Sequence, residues 1–229
     1  MSFILQIESS SEICSVALSQ NGATLFVVED IQPNSHSEKI TILIKQCLDN
    51  AGINFSQLDA VAVSDGPGSY TSLRVGVSVA KGICYAKDIP LIAIDSLLIL
   101  ACGIDINHVA VDDLIIPMID ARRMEVYTSI FRHDYSQYQD TGAIIIENDP
   151  FSSLVSGNQK IHICGNGAAK YYNHHKSDAI IMHHSVTSSS FMSLSSFKYY
   201  KEQQFVDVAY YTPNYFKAPY ITKSNKKLF

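Results

Sequence analysis

Apolar and polar positions change rhythm along the chain, and each change marks an element. "FILQIESS" opens with an apolar run that predicts a strand over Phe3–Ile7. "CSVALS" and "TLFVVE" follow as two further strand patterns, joined through Asn21-Gly22, a pair that tolerates positive φ and favours a tight hairpin. The period then lengthens. In "SHSEKITILIKQCLDNAG", Ile40, Leu43, Ile44, Cys47, Leu48 and Ala51 form one helical stripe. Ser35 and Glu38 have capping-box spacing, and Gly52 stands where a left-handed C-cap belongs. Ile42 lies off the stripe and widens the apolar surface beyond one buried face. "LDAVAVS" predicts a buried parallel strand, and "SDGPGSYT" a turn that opens a helix from about Tyr70 to Ala86. "PLIAID" and "SLLILACG" add a strand and a short helix, giving the order β-β-β-α-β-α-β-α.

The second half starts in the same way. "LIIPMID" and "EVYTSIF" repeat the design of "FILQIE" and "CSVALS": a strand ending in a carboxylate, a short polar turn, a returning strand. Glu8 and Asp120 hold equivalent places. "GAIIIE" predicts a strand, and "KIHICGNGAAKYY" a strand, a glycine turn and a helix. "VTSSSFMSLSSFKYYKE" predicts a serine-rich helix, and "VAYYTPNYFKAPYI" a packed extended tail whose tyrosines cover an edge or dock on a partner. The expectation is an α/β chain of two ribonuclease-H-like lobes in tandem, residues 1–108 and 109–229, the plan of the actin-like (ASKHA) class.

Composition narrows the function. A 47% hydrophobic chain of 229 residues has material for a full core. A net charge of -5 argues against a generally nucleic-acid-binding surface, so the basic stretch with Lys223, Lys226 and Lys227 reads as a solvated tail. Five widely spaced cysteines without Cys-x-x-Cys fit reduced thiols rather than disulfides or a zinc ribbon. The apolar start is too short for a signal peptide, and no run is long enough to span a membrane, so the expected location is the cytoplasm.

The glycine turn "SDGPGSYTSLRVGVSVAKG" first suggests a phosphate cradle. It lacks the Gly-Lys pair of a P-loop, and Thr71 replaces the third glycine of a dinucleotide fingerprint. The strand-end turns "ESSSE" and "DARRME" lack the glycine that lets backbone approach phosphate in actin-like enzymes. A weakened or partner-shared ATP/ADP site built from Glu8, Asp120, Gly165 and Gly167 stays open, beside the plainer reading of Gly165 and Gly167 as a strand-to-helix turn. No metal is expected, because His174-His175 and His183-His184 are adjacent pairs that chelate poorly on a helix. Ser69 is outside any G-x-S-x-G elbow and reads as a helix N-cap.

That helix carries Ser72, Gly76 and Ala80 at four-residue steps, with Gly82 and Ala86 as a second small pair. An interior glycine costs about 0.5–1 kcal/mol relative to Ala, a cost that close approach of a neighbour offsets. Val75, Val79 and Ile83 are read as the row facing the core. The small stripe then either packs on the first helix or meets a partner.

"ILQIESSSEICSVAL", "SHSEKITILI", "VAVSDGPGSYTSLRVGVSVAKGI", "PMIDARRMEVY" and "GNGAAKY" together resemble the bacterial tRNA threonylcarbamoyladenosine biosynthesis family TsaB, well over the first 130 or so residues and weakly beyond. Glu8 departs from the Asp of many relatives. The resemblance implies the actin-like fold and a non-catalytic scaffold without metal-binding histidines. It implies pairing with a TsaD-like catalytic subunit and a TsaE-like P-loop ATPase, which together place threonylcarbamoyl on the tRNA adenosine beside the anticodon. The isolated chain is expected to form a homodimer and to meet tRNA only through the complex. Pairing in the family uses the helices that correspond to Ser37–Asn50 and Tyr70–Ala86. Ile42, Lys45, Ser72, Arg74, Gly76, Val79 and Ala80 are therefore the expected interface. The rivals are an actin-like small-molecule kinase or ATPase, which needs the missing glycines, and a peptidase, for which no nucleophile or metal set is present.

Overall fold

The computed structural model describes residues 1–32 and 36–216. Ser35 of the expected capping box and the lysines at 223, 226 and 227 lie outside the described residues.

Three meandering strands open the fold: β1 (Phe3–Glu8), β2 (Cys14–Gln20) and β3 (Ala23–Asp30). Asn21 and Gly22 take positive φ values of 51° and 85° at the β2–β3 turn. Helix α1 (His36–Ala51) crosses to β4 (Ala60–Ser64), and α2 (Tyr70–Lys87) crosses to β5 (Leu91–Ile94). The sheet order is β3-β2-β1-β4-β5, with β1, β4 and β5 parallel. Both faces of these parallel strands are covered, which explains their unbroken apolar runs. Leu5, Ile7, Val61 and Val63 face α1 and α2. Ile4, Ala60 and Ala62 face the interior between the two halves.

After α3 (Ser96–Cys102) the plan repeats. Strands β6 (Leu114–Asp120), β7 (Glu125–Phe131) and β8 (Gln137–Ile145) form a second meander. β9 (Ile161–Cys164), α4 (Ala168–His174) and β10 (Ile180–Met182) complete it. The order β10-β9-β6-β7-β8 mirrors the first sheet. The counterpart of α1 is reduced to a single 3-10 turn at Ser152–Leu154, so one face of this sheet carries much less helix. This is the tandem actin-like arrangement, with a full first lobe and a reduced second.

Three expectations change here. β8 begins at Gln137, ahead of the expected "GAIIIE", because an edge strand keeps polar residues such as Gln139 and Asp140 facing water. The serine-rich helix starts as a 3-10 turn (Ser189–Met192) before α5 (Ser193–Lys201). The C-terminal stretch, assigned by sequence to the second lobe, instead returns to the first sheet. Gln6 donates to Ser196 Oγ at 3.0 Å, and Val206 N–H donates to Leu91 O at 3.0 Å. The chain closes on itself because Ala60 and Ala62 leave room for Met192 and α5 on the inner face.

Candidate functional site

The carboxyl ends of β1, β4 and β5 each carry an acid: Glu8, then Asp65 and Asp95 just beyond their strands. Ligands of open parallel sheets bind in this crevice. Here the chain's own groups fill it. Glu8 is 0% exposed, and its Oε1 accepts from both the backbone N–H and the hydroxyl of Ser10. Its Oε2 has no hydrogen-bond partner. Burial pushes the Glu8 carboxyl up to about 7, against the opposing pull of Ser10, Ser64 and Thr187. Asp65 accepts from the Tyr211 hydroxyl, and its carbonyl accepts from Asn214 N–H at 2.8 Å. Asp95 caps α3 through Leu97 N–H and accepts from Thr141 of β8 at 2.7 Å. Burial raises both aspartates above the ordinary range.

The second-lobe residues are engaged in the same way. Asp120, 42% exposed, pairs with Lys170 at 2.5 Å and caps the turn through Arg122 N–H at 2.7 Å. Gly165 has φ +89°, and a Cβ there would overlap the Met118 carbonyl. Gly167 donates its N–H to that same carbonyl at 3.0 Å. The two glycines therefore seat a turn on β6, and the Gly167 N–H is taken. Among the described residues, no group of three or more His, Cys, Asp or Glu is placed to hold a metal ion.

The glycine turn interlocks with the first strand end. Ser69 N–H donates to Ser10 O at 2.8 Å, and Ser9 N–H donates to Ser64 Oγ at 3.3 Å. Ser69 caps α2, accepting from Ser72 N–H at 3.5 Å. This turn sets the direction in which α2 leaves the sheet.

The deepest face of α2 differs from the sequence expectation, although Val75, Val79 and Ile83 do pack against the core from its flank. Leu73, Gly76, Val77, Ala80 and Cys84 are its buried residues. Gly76 lies against Ser9, so closely that a Cβ would overlap the Ser9 hydroxyl, and 3.6 Å from Ile7. Gly76 and Ala80 thus bring the helix down onto β1, which corrects their reading as outward interface residues. The row read as core, Val75, Val79 and Ile83, is only half-buried. On α1, Ile42 is 49% exposed, and Lys45 pairs with Asp49 at 2.6 Å. Ser72 is half-buried and Arg74 exposed. The face of α2 left part-open is thus an apolar strip of Val75 and Val79, with Ser72 and Arg74 on the same helix, while Ile42 and Lys45 are exposed on α1.

Tail residues border this strip. Lys81 Nζ donates to the carbonyls of Ala209 and Tyr211, each at 3.0 Å. The Tyr215 hydroxyl accepts from Arg74 Nε at 3.0 Å, and the Tyr215 ring lies 4.6 Å from that of Tyr70. Phe216 reaches Tyr127 of β7 at 6.1 Å between rings. The sequence showed an aromatic tail, but its partners lie 89 or more residues away, and no local pattern encodes them. The Tyr70–Arg74 spacing of one helical turn was the one visible hint.

The family model for TsaD, tRNA N6-adenosine threonylcarbamoyltransferase, matches residues 27–227. The chain is 35% identical over 149 residues to the Haemophilus influenzae tRNA threonylcarbamoyladenosine biosynthesis protein TsaB, covering 63% of this chain and 62% of that relative. With the Escherichia coli TsaB it shares 31% identity over 131 residues, covering 57% and 55%. A tRNA N6-adenosine threonylcarbamoyltransferase of Halalkalibacterium halodurans matches at 36% identity over 107 residues, 40% of this chain and 31% of that one. These matches span between a third and two thirds of the relatives' own length. In fold, the chain superposes on YeaZ from Pseudomonas aeruginosa with a TM-score of 0.80 at 23% identity, covering 94% of this chain and 100% of that one.

Proposed function

We propose, from the premise that the chain belongs to the TsaD (tRNA N6-adenosine threonylcarbamoyltransferase) family, that it is a non-catalytic docking subunit in tRNA threonylcarbamoyladenosine biosynthesis. The α1–α2 surface receives the catalytic TsaD-type relative, which carries related sequence over 107 residues. The observation that carries this reading is the half-buried valine row of α2 together with exposed Ile42 of α1, the small residues of α2 being already spent on the sheet. Apolar side chains left half-covered on a paired-helix face suit four-helix packing with a similar pair. A homodimer through the same face is the expected state when the relative is absent. A TsaE-type ATPase joins the assembly, tRNA is met only through it, and the cytoplasm is the place of action. Among the described residues, no helix is long and apolar enough to cross a membrane.

The kinase or ATPase reading loses support from the crevice. Glu8 is enclosed by hydroxyls, Asp120 is paired with Lys170, and Gly167 N–H is already bonded. Any nucleotide retained with the help of Gly165 and Gly167 would have to be shared with the partner.

Val79→Glu is the direct test, because Gly76 cannot report on docking when a larger side chain there meets Ser9 first. A carboxylate forced into an apolar helix seam should weaken docking by more than about 100-fold. The half-buried position should leave the melting temperature within about 3 °C of wild type. Titration against the TsaD-type relative, followed by a threonylcarbamoylation assay with and without this chain, reads both. Unchanged affinity with a folded variant would falsify the assignment of this surface.

A further inference from the structure

We infer that Arg74, clamped by Tyr70 and Tyr215, is a preorganised receptor for a carboxylate side chain of the docking partner; this rests on the docking role of the α1–α2 surface. The Arg74 guanidinium lies 4.2 Å from the Tyr70 ring centre and 5.6 Å from that of Tyr215. Its Nε donates to the Tyr215 hydroxyl at 3.0 Å. One edge of the planar group is thereby used. The two terminal nitrogens remain as an end-on fork, the geometry that holds a carboxylate through two parallel hydrogen bonds.

Among the described residues, no acid forms an ion pair with Arg74; the ion pairs involve Lys45, His108, His162 and Lys170. Lys45 of α1 is already paired with Asp49, and Lys81 of α2 donates to the tail carbonyls of Ala209 and Tyr211. Between Thr71 and Val79, Arg74 is the only charged residue. An exposed arginine ordinarily samples many rotamers, and fixing it on binding costs affinity. Stacking against two tyrosines has removed that cost before any partner arrives. Tyrosine and arginine grouped at the edge of an apolar strip is also the composition of interface hot spots.

A phosphate would fit the fork as well, but the surroundings favour protein. The nearby α2 residues are apolar or hydroxyl-bearing, and the chain's net charge is -5. A nucleic-acid track requires several cations in a row.

Tyr215 gives the clamp a property that sequence position hides: it comes from the tail, 141 residues from Arg74. Asp65 fixes that tail through Tyr211 and Asn214. The docking edge therefore depends on two segments held together by the glycine turn.

The experiment titrates the full chain against the full-length TsaD-type relative of the same genome, at 50 and 300 mM salt. Arg74→Ala is expected to weaken binding about 30-fold, and Arg74→Lys about 10-fold, because the ammonium keeps charge without the fork. Tyr215→Ala is expected to lose about 10-fold and Tyr215→Phe about threefold. Arg74→Ala should also flatten the salt dependence while leaving the melting temperature unchanged, an electrostatic signature that mere structural support lacks. If Arg74→Ala binds like wild type while Val79→Glu does not bind, the carboxylate receptor is overturned and the docking surface stands. If Val79→Glu also binds normally, both are overturned. If Arg74→Ala lowers tRNA retention on a filter but not partner affinity, the anion is a phosphate and the inference fails.

Discussion

Gly68→Ala is expected to destabilise the protein by about 3 kcal/mol and lower its melting temperature by about 6–12 °C. The added Cβ would overlap the Ser10 carbonyl oxygen, with Ser10 Cβ at 2.7 Å and its carbonyl carbon at 3.0 Å. These are backbone atoms and the first side-chain carbon, so no rotamer change relieves the clash. The same carbonyl accepts from Ser69 N–H at 2.8 Å. Moving the turn outward therefore loses a hydrogen bond as well as packing, and it shifts Ser10 away from Glu8. Because Ser69 starts α2, the docking strip moves too, and affinity for the partner should fall along with stability. Gly82→Ala supplies the contrast. Nothing lies within 4 Å of a Cβ there, and the residue is exposed in mid-helix. Its alanine variant should gain about 0.5–1 kcal/mol. Paired thermal melts decide the matter; a Gly68→Ala variant melting within about 2 °C of wild type means the two turns are not interlocked.

The difference between these glycines marks how far the sequence could be read. The meander, the crossover helices and the repeat of the plan at Leu114 were legible, because strand alternation and helical period are local signals. The identity of a helix face was not. On α2, apolar Val75, Val79 and Ile83 read as core, and small Gly76 and Ala80 as a stripe for the first helix or a partner. The small residues instead take the deepest place and the valines only flank the core, because Ser9 and Ile7 come so close that only small residues fit between helix and strand. Hydrophobicity alone ranks valine above glycine for burial, but at close approach the available space decides. The crevice was half legible. Glu8 and Asp120 stood out as strand-end acids, yet nothing local showed that Ser10 and Lys170 already occupy them. Asp95 and Tyr211 were missed as partners of distant groups, since Thr141 and Asp65 lie 46 and 146 residues from them.

Glu8→Gln is expected to stabilise the protein at alkaline pH by up to about 3 kcal/mol and to be neutral at pH 4. The sign follows from where the proton sits. In the unfolded chain Glu8 loses its proton near the ordinary value of 4.5, whereas in the fold burial holds it to about 7. Between those values the folded protein binds one more proton than the unfolded chain, so its stability falls as pH rises. Above about 7 both forms are ionised, and the full penalty of a buried carboxylate remains. Glutamine removes the ionisation and keeps the acceptor that Ser10 uses. Its amide nitrogen replaces Oε2, the atom now without a hydrogen-bond partner. Asp65 and Asp95 are also raised by burial, but their contributions are common to both proteins and cancel in the difference. Urea unfolding at pH 4, 6 and 8 should show the two curves coinciding at the lowest pH and separating progressively above it. A gap that is constant with pH would mean Glu8 binds protons no differently in the fold than in the unfolded chain, and the picture of a crevice closed around a protonated acid would have to be abandoned. The same experiment bears on the enzyme reading: a Glu8→Gln protein that is more stable at pH 8 and still supports tRNA modification places the chemistry in the partner.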